Sequence, residues 1–227
     1  MKYYISTPDL DAQILEIRRK IMLSMNGIAS EQMSERGILY KKNYGVAVPR
    51  IKEIASAYSQ NHDLAQRLWN LQIRETMILA TLIEPSDKFT PELANEWAGQ
   101  FDQIEIIELS CMNLYARLPF SNELCTEWVS SKKQWVQIAG FILAARIYKD
   151  FKQEQSNFII QKAVEVSSTD DFHLYKAVAL CLCRFCRKDK ETATQILSEL
   201  NEFQHVGSAG QQFIYSELKQ EMLFLEI

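Results

Sequence analysis

At 227 residues the chain is long enough for one large domain or a repeat array, and long enough to bury a sizeable core. With 47% hydrophobic and 24% charged residues but only 7 glycines and 5 prolines, it reads as a soluble, helix-rich globular protein with few turns. A formal net charge of −4 speaks against a grip on polyanions carried by net charge alone, and five cysteines, an odd number set in apolar runs, speak against a disulfide framework.

The opening residues MKYYISTPDLDAQ have neither a basic flank nor an apolar h-region, and no stretch reaches about 18 apolar residues. A cytoplasmic protein is expected, neither secreted nor membrane-bound. Thr7-Pro8-Asp9 is a helix start, with Thr7 as N-cap and Pro8 at the first helical position. Leu10, Ile14, Ile17, Ile21 and Met25 form one stripe, which Asn26-Gly27 is expected to close. A short helix over 30–36 ends at Gly37. The polar Lys41-Lys42-Asn43 leads into Tyr44-Gly45-Val46, and Pro49 then opens a helix. Ile51, Ile54, Ala55 and Tyr58 mark one helical stripe, Leu64, Leu68 and Trp69 a second, and Ile73, Met77, Ala80 and Ile83 a third.

Beyond Pro85, Thr90-Pro91 starts a helix carrying Leu93, Trp97 and Phe101. The next, over 103–117, is apolar on nearly every side, the pattern of a helix buried between neighbours. Leu118-Pro119 breaks it and Ser121 is read as the cap of the following helix. A largely apolar helix runs over 135–148, and others over 156–167, 171–187, 191–203 and 208–226. Helical pairs begin near His62, Thr90, Ser121, Ser156 and Asp189, a spacing of roughly 30 to 35 residues that fits stacked helical repeats. Nothing alternates with period two for long enough to form a sheet, and no linker divides the chain. The expectation is an all-α array occupying 1–227 as a single domain, with a concave face able to bind an extended partner.

The order Tyr44-Gly45-Val46-x-x-Pro49-x-Ile51, then Leu64-Ala65-x-x-Leu68-Trp69, then Arg74-Glu75 opening an apolar helix, resembles the DNA alkylation repair family, the AlkD-like glycosylases. The similarity follows helix order over most of the chain, but only this segment is specific. The resemblance implies a right-handed α-solenoid of HEAT-like helical repeats (an α-α superhelix). It also implies excision of cationic N3- or N7-alkylated purines from double-stranded DNA, a DNA-3-methyladenine/7-methylguanine glycosylase working without cofactor.

Candidate chemistry centres on Asp102, Glu105 and Glu108, three carboxylates at i, i+3 and i+6 among isoleucines, where desolvation would poise one of them. In the family an aspartate here stabilises the oxocarbenium character of the departing sugar. By helix alignment its place falls on Glu108, the catalytic candidate, while a tryptophan four residues earlier is replaced by Ile104. A Trp-x-Arg-Arg-like opening corresponds to Trp135-Val136-Gln137-Ile138, without the arginine. A Lys-Ala-Ile-Gly-Trp-x-x-Arg pattern corresponds to Lys176 through Cys183, keeping Lys176 but holding Ala179, Leu180 and Cys183 at its other three functional positions. DNA-binding candidates are Lys41, Lys42, Arg50, Lys52, Lys132 and Lys133, with Lys176 added by the resemblance. Arg18-Arg19-Lys20 and Arg184-Arg187-Lys188-Lys190 are further basic clusters, and solvated helix ends explain such charges equally well.

Cys181-x-Cys183-x-x-Cys186 points three thiols in different directions on a helix, and His62, His173 and His205 stand apart, so no metal site is expected. Phosphate-loop, nucleophile-elbow and zinc-protease motifs are missing, and no nucleotide cofactor is expected. Two functions stay open: a DNA-repair-type protein that binds DNA and excises alkylated purines through Glu108, or a non-catalytic scaffold whose concave face binds a protein or nucleic acid.

Overall fold

The chain starts most of its helices where a side chain or a proline satisfies the orphan amides of the first turn. The computed structural model describes residues 7–203 and 207–226. His205 lies outside that range. All regular secondary structure among the described residues is helical, in two compact units, 1–93 and 94–227. No helix there is long and apolar enough to cross a membrane.

The first unit holds α1 (Pro8–Leu23), α2 (Gly27–Glu35), α3 (Val48–Ala55), α4 (His62–Asn70) and α5 (Arg74–Ile83). Helix α6 (Pro91–Ala98) carries the chain into the second unit. Helices α1, α3 and α5 pack in succession, with α4 against α1 and α5. Of the predicted stripes, Ile51, Ile54 and Ala55, Leu64, Leu68 and Trp69, and Ile73, Met77, Ala80 and Ile83 are buried, while Tyr58 is half-buried; in the first stripe only Ile17 and Ile21 are buried, Leu10 and Ile14 are half-buried, and Met25, beyond the end of α1, is exposed.

Three caps differ from the sequence reading. Asn26-Gly27 does not close α1, which ends at Leu23. Instead Asn26 extends its own backbone and its side chain accepts from the Ala29 amide, starting α2. Thr7 stands at the N-cap position of α1 without a side-chain bond to its amides, and its hydroxyl accepts from Arg67 instead. Ser121 is the first residue of its helix rather than its cap, and its hydroxyl donates back to the carbonyls of Tyr115 and Leu118.

The second unit holds α7 (Ile104–Asn113), α8 (Ser121–Trp128), α9 (Gln134–Arg146), α10 (Gln153–Glu165), α11 (Phe172–Cys186), α12 (Lys190–Leu200) and α13 (Ala209–Leu225). A 3-10 turn, Tyr115–Arg117, replaces the end of the long helix read from sequence. Helices α7, α9, α11 and α13 pack side by side, and α8, α10 and α12 stack behind them. Gly140 lets α9 press on the end of α8, since a Cβ there would lie 2.7 Å from the Val129 nitrogen. Helix α9 is buried from Ile138 to Ala145 without interruption, as a helix hydrophobic all round should be. Its first exposed residue after that run is Arg146.

Candidate functional site

The segment that carries the family resemblance builds a loop anchor in the first unit. Glu75 is fully buried, and its carboxylate accepts from the Tyr44 amide at 3.1 Å, the Val46 amide at 3.2 Å and the Arg74 guanidinium at 3.1 Å. Arg74 donates through the same guanidinium to the Val46 carbonyl at 2.9 Å, and its backbone amide reaches the Lys42 carbonyl. A buried ion pair needs such additional hydrogen bonds to offset its desolvation. Between them Gly45 takes a φ of +68°, and a Cβ there would fall 2.1 Å from the Asn26 carbonyl oxygen. Only glycine fits.

That anchor presents the predicted basic residues of the first unit. Lys41 and Lys42 are exposed on the loop, and the Lys42 ammonium stands 4.9 Å from the Tyr44 ring. Arg50 and Lys52 are exposed on α3. Arg50 is already engaged, 2.6 Å from Glu53 and donating to Ser24. A second buried carboxylate, Glu84, is 2.6 Å from His62 Nδ1 and accepts from Gln66 at 3.2 Å. Burial pushes its pKa up to about 7 against the pull of His62. His62 is therefore a structural partner rather than an isolated surface residue.

In the second unit Glu108 lines an open pocket of about 490 Å³ with Met112 from its own helix, Ile142 and Arg146 from α9, and Leu180 and Arg184 from α11. The geometry follows from the helix period. Ile106, Ile107, Ser110 and Cys111 turn into the core, which leaves Glu108 and Met112 on the opposite side, four residues apart. Although Glu108 exposes much of its surface, the surrounding wall desolvates the carboxyl and raises its pKa. Arg146 opposes that rise, Glu105 adds to it and His173 opposes it. Neither Glu108, Arg146 nor Arg184 is ion-paired among the described residues. An unpaired carboxylate facing two unpaired guanidiniums can hold a phosphate at one end and a developing positive charge at the other.

No arginine stands at the start of α9; Arg146 at the end of that helix and Arg184 on α11 line the Glu108 pocket. Position 137 instead does structural work: the Gln137 amide donates to the Val129 carbonyl at 2.9 Å, closing the α8–α9 turn. The signal for Arg146 was the single charge ending an otherwise apolar helix.

Lys132 and Lys133 are exposed in the α8–α9 turn and line a separate pocket with Asn95, Glu127 and Trp128. Lys176 lies in a groove of about 560 Å³ that shares Leu180 and Arg184 with the Glu108 pocket. The second unit thus links Glu108 and Lys176 through shared walls and keeps Lys132 and Lys133 in another place. All five cysteines are free thiols. Burial pushes Cys111, Cys183 and Cys186 up to about 12, which makes them inert core groups rather than nucleophiles.

A family model described as DNA alkylation repair enzyme matches residues 25–209. Among solved structures, one described as "a new family of proteins related to the HEAT-like repeat DNA glycosylases with affinity for branched DNA structures" superposes with a TM-score of 0.75. The match spans 90% of this chain and 93% of that one at 12% identity. No curated protein matches. At that identity the likeness concerns architecture, and the fold is the all-α solenoid of HEAT-like repeats.

Proposed function

We propose, from the premise that this chain belongs to the DNA alkylation repair enzyme family, that it is a DNA-binding protein whose second unit takes the sugar-phosphate backbone into the Glu108 pocket. The observation that carries this reading is the pair of unpaired guanidiniums, Arg146 and Arg184, on the wall of one open pocket. Arginine forks match phosphate oxygens, and a water-accessible pocket of this size admits a backbone segment rather than a large ligand. The affinity of the structurally similar protein for branched DNA supports the same partner here, including junctions. Lys176 lies along the adjoining groove, while Lys41, Lys42, Arg50, Lys52, Lys132 and Lys133 supply point charges for peripheral phosphates.

Excision of N3- or N7-alkylated purines is the second reading, favoured by Glu108 standing unpaired at the pocket rim. As the N-glycosidic bond breaks, positive charge grows on the sugar, and a fixed carboxylate stabilises that state more than the ground state. Against it stands the wall: Leu180, 40% exposed, occupies a place where the family has an aromatic ring, so the pocket offers a base an aliphatic surface.

Titration of the protein against linear and branched duplexes by fluorescence anisotropy tests the first reading. Arg146→Gln and Arg184→Gln should each weaken binding to both, and unchanged affinity in the double variant would overturn it. A release assay on duplex DNA carrying 7-methylguanine and 3-methyladenine decides the second. No release from a protein that still binds DNA would leave it a non-catalytic DNA scaffold.

A further inference from the structure

We infer that the ring cluster formed by Trp135, Phe172 and His173, capped by Lys176, is a stacking platform for unpaired nucleobases. It rests on the DNA-binding reading above and adds to it what the protein would take hold of at a branch point. Trp135 lies in the first turn of α9, and Phe172 and His173 open α11. The Trp135 and His173 rings are 5.4 Å apart and the Phe172 and His173 rings 5.6 Å. On the far side Phe172 meets Tyr175 at 5.6 Å, and Tyr175 meets Phe213 of α13 at 5.2 Å.

This ladder is not a core. Phe172 is 51% exposed, whereas Phe101, Phe141, Phe151 and Phe185 of the second unit are buried. Trp135, His173 and Phe213 are half-buried. A row of aromatic rings held open to solvent has a cost in water and offers flat π-faces to whatever can cover them.

The charges around it select an anion that carries rings. Lys176 holds its ammonium 4.4 Å from the Phe172 ring and 5.9 Å from that of Phe213, and is paired with no carboxylate among the described residues. Arg184 shares the groove with Lys176, and it too has no ion pair among the described residues. Two carboxylates, Glu217 and Glu221, line the same groove from α13, but Glu221 is taken up by Arg187, whose guanidinium reaches it at 3.0 Å. Lys176 and Phe213 line a groove with Leu180 and Arg184, which also line the Glu108 pocket, and this sets the platform beside the backbone pocket. Phosphate in that pocket and bases splayed onto the rings would be one continuous single strand. Stacking on such rings tolerates any base, since every base has a π-face.

Trp135 supplies its own probe. Trp69, Trp97 and Trp128 are at most 1% exposed, so among the four tryptophans only Trp135 is open to a stacked base. Titration with oligo(dT) should quench tryptophan fluorescence, and Trp135→Phe should abolish the quench while retaining a ring. Phe172→Ala, at an exposed position where misfolding is not at issue, should weaken binding to a duplex with a single-stranded flap about 5- to 100-fold. It should leave binding to a blunt duplex unchanged. Absence of quenching in the parent, or equal loss on flap and blunt DNA in Phe172→Ala, would overturn the platform. The two readings separate cleanly: blunt-duplex binding without quenching refutes the platform alone, and quenching without any response to Arg146→Gln and Arg184→Gln refutes the backbone pocket alone.

Discussion

The two units handle charge in opposite ways. In the first, Arg74, Glu75 and Glu84 are withdrawn from water and every one is engaged, by backbone amides, a carbonyl, His62 or Gln66. In the second, Glu108, Arg146 and Arg184 stand at an open pocket with no ion pair among them. A charged residue interrupting an apolar helix looks the same in both sequences. What separates architecture from candidate chemistry is whether the fold supplies partners, because a buried charge without partners is very unfavourable, while one kept at a rim stays available to a ligand.

If that division holds, substitutions of the buried residues of the first unit should move stability, and those at the open pocket of the second should move binding or rate. The largest effect is expected at Trp69, fully buried in α4, where Trp69→Ala should cost about 3 to 5 kcal/mol by truncation of a packed aromatic. Thermal or urea unfolding measures it, and a shift too small to resolve would break the assignment of this unit as scaffold.

Should the protein release alkylated bases, Glu108→Gln would lower the rate on the order of a hundred- to a thousandfold with little change in unfolding midpoint. Glu105→Gln would leave most of it, and Glu108→Asp would retain or improve it by restoring the family's side chain. Since the reaction needs the carboxylate and burial raises its pKa, the rate should climb with pH through a value above the ordinary glutamate range. Single-turnover release across pH reads both points. Equal activity in Glu108→Gln and the parent would remove Glu108 from the chemistry.

Glu84 gives the comparison a sharper form. Its folded pKa of about 7 exceeds the ordinary 4.5, so the folded state holds the proton more tightly than the unfolded chain does. That contribution is fully present below pH 4.5 and is lost as pH rises through 7. Relative to Glu84→Gln, the parent should therefore lose up to about 3 kcal/mol of stability across this window. Thermal midpoints measured against pH for both proteins test it, and parallel curves would mean that His62 compensates the charge in full.

The smallest expected effects are single cations on peripheral phosphates. Lys132→Gln or Lys41→Gln should reduce the slope of log affinity against log salt by about one and leave preference among DNA sequences unchanged. An unaltered slope would exclude that side chain from the interface.

Much of the helical order was readable because α-helices announce their starts and their buried stripes. Thr90 does accept from the Leu93 amide, Asp171 and Asp189 cap α11 and α12, and the stripes of α3 to α5 are the core. Asn26-Gly27 was misleading because the same pair can end one helix or begin the next, and only the 2.8 Å bond from the Asn26 amide to the Tyr44 carbonyl decides which. Glu108 is a candidate that alignment within one helix names, and Arg184 falls in a basic cluster of the sequence. That Arg146 and Arg184 share a pocket with Glu108, and that Trp135 meets His173, follows from the side-by-side packing of α7, α9, α11 and α13, which no local pattern records.

The clamp around Gly45 bears on the order in which the chain assembles. It joins Asn26, Tyr44 to Val46 and Glu75, three stretches far apart along the chain, through main-chain groups and the Glu75 carboxylate, which have no use for one another until all have arrived. Closing those loops is an entropic loss that individual hydrogen bonds do not recover one at a time, so the clamp belongs to the late, downhill side of the folding barrier. The amides of Tyr44 and Val46, though they sit in a segment without regular secondary structure, should exchange with deuterium as slowly as the helices around them and open only when the whole first unit opens.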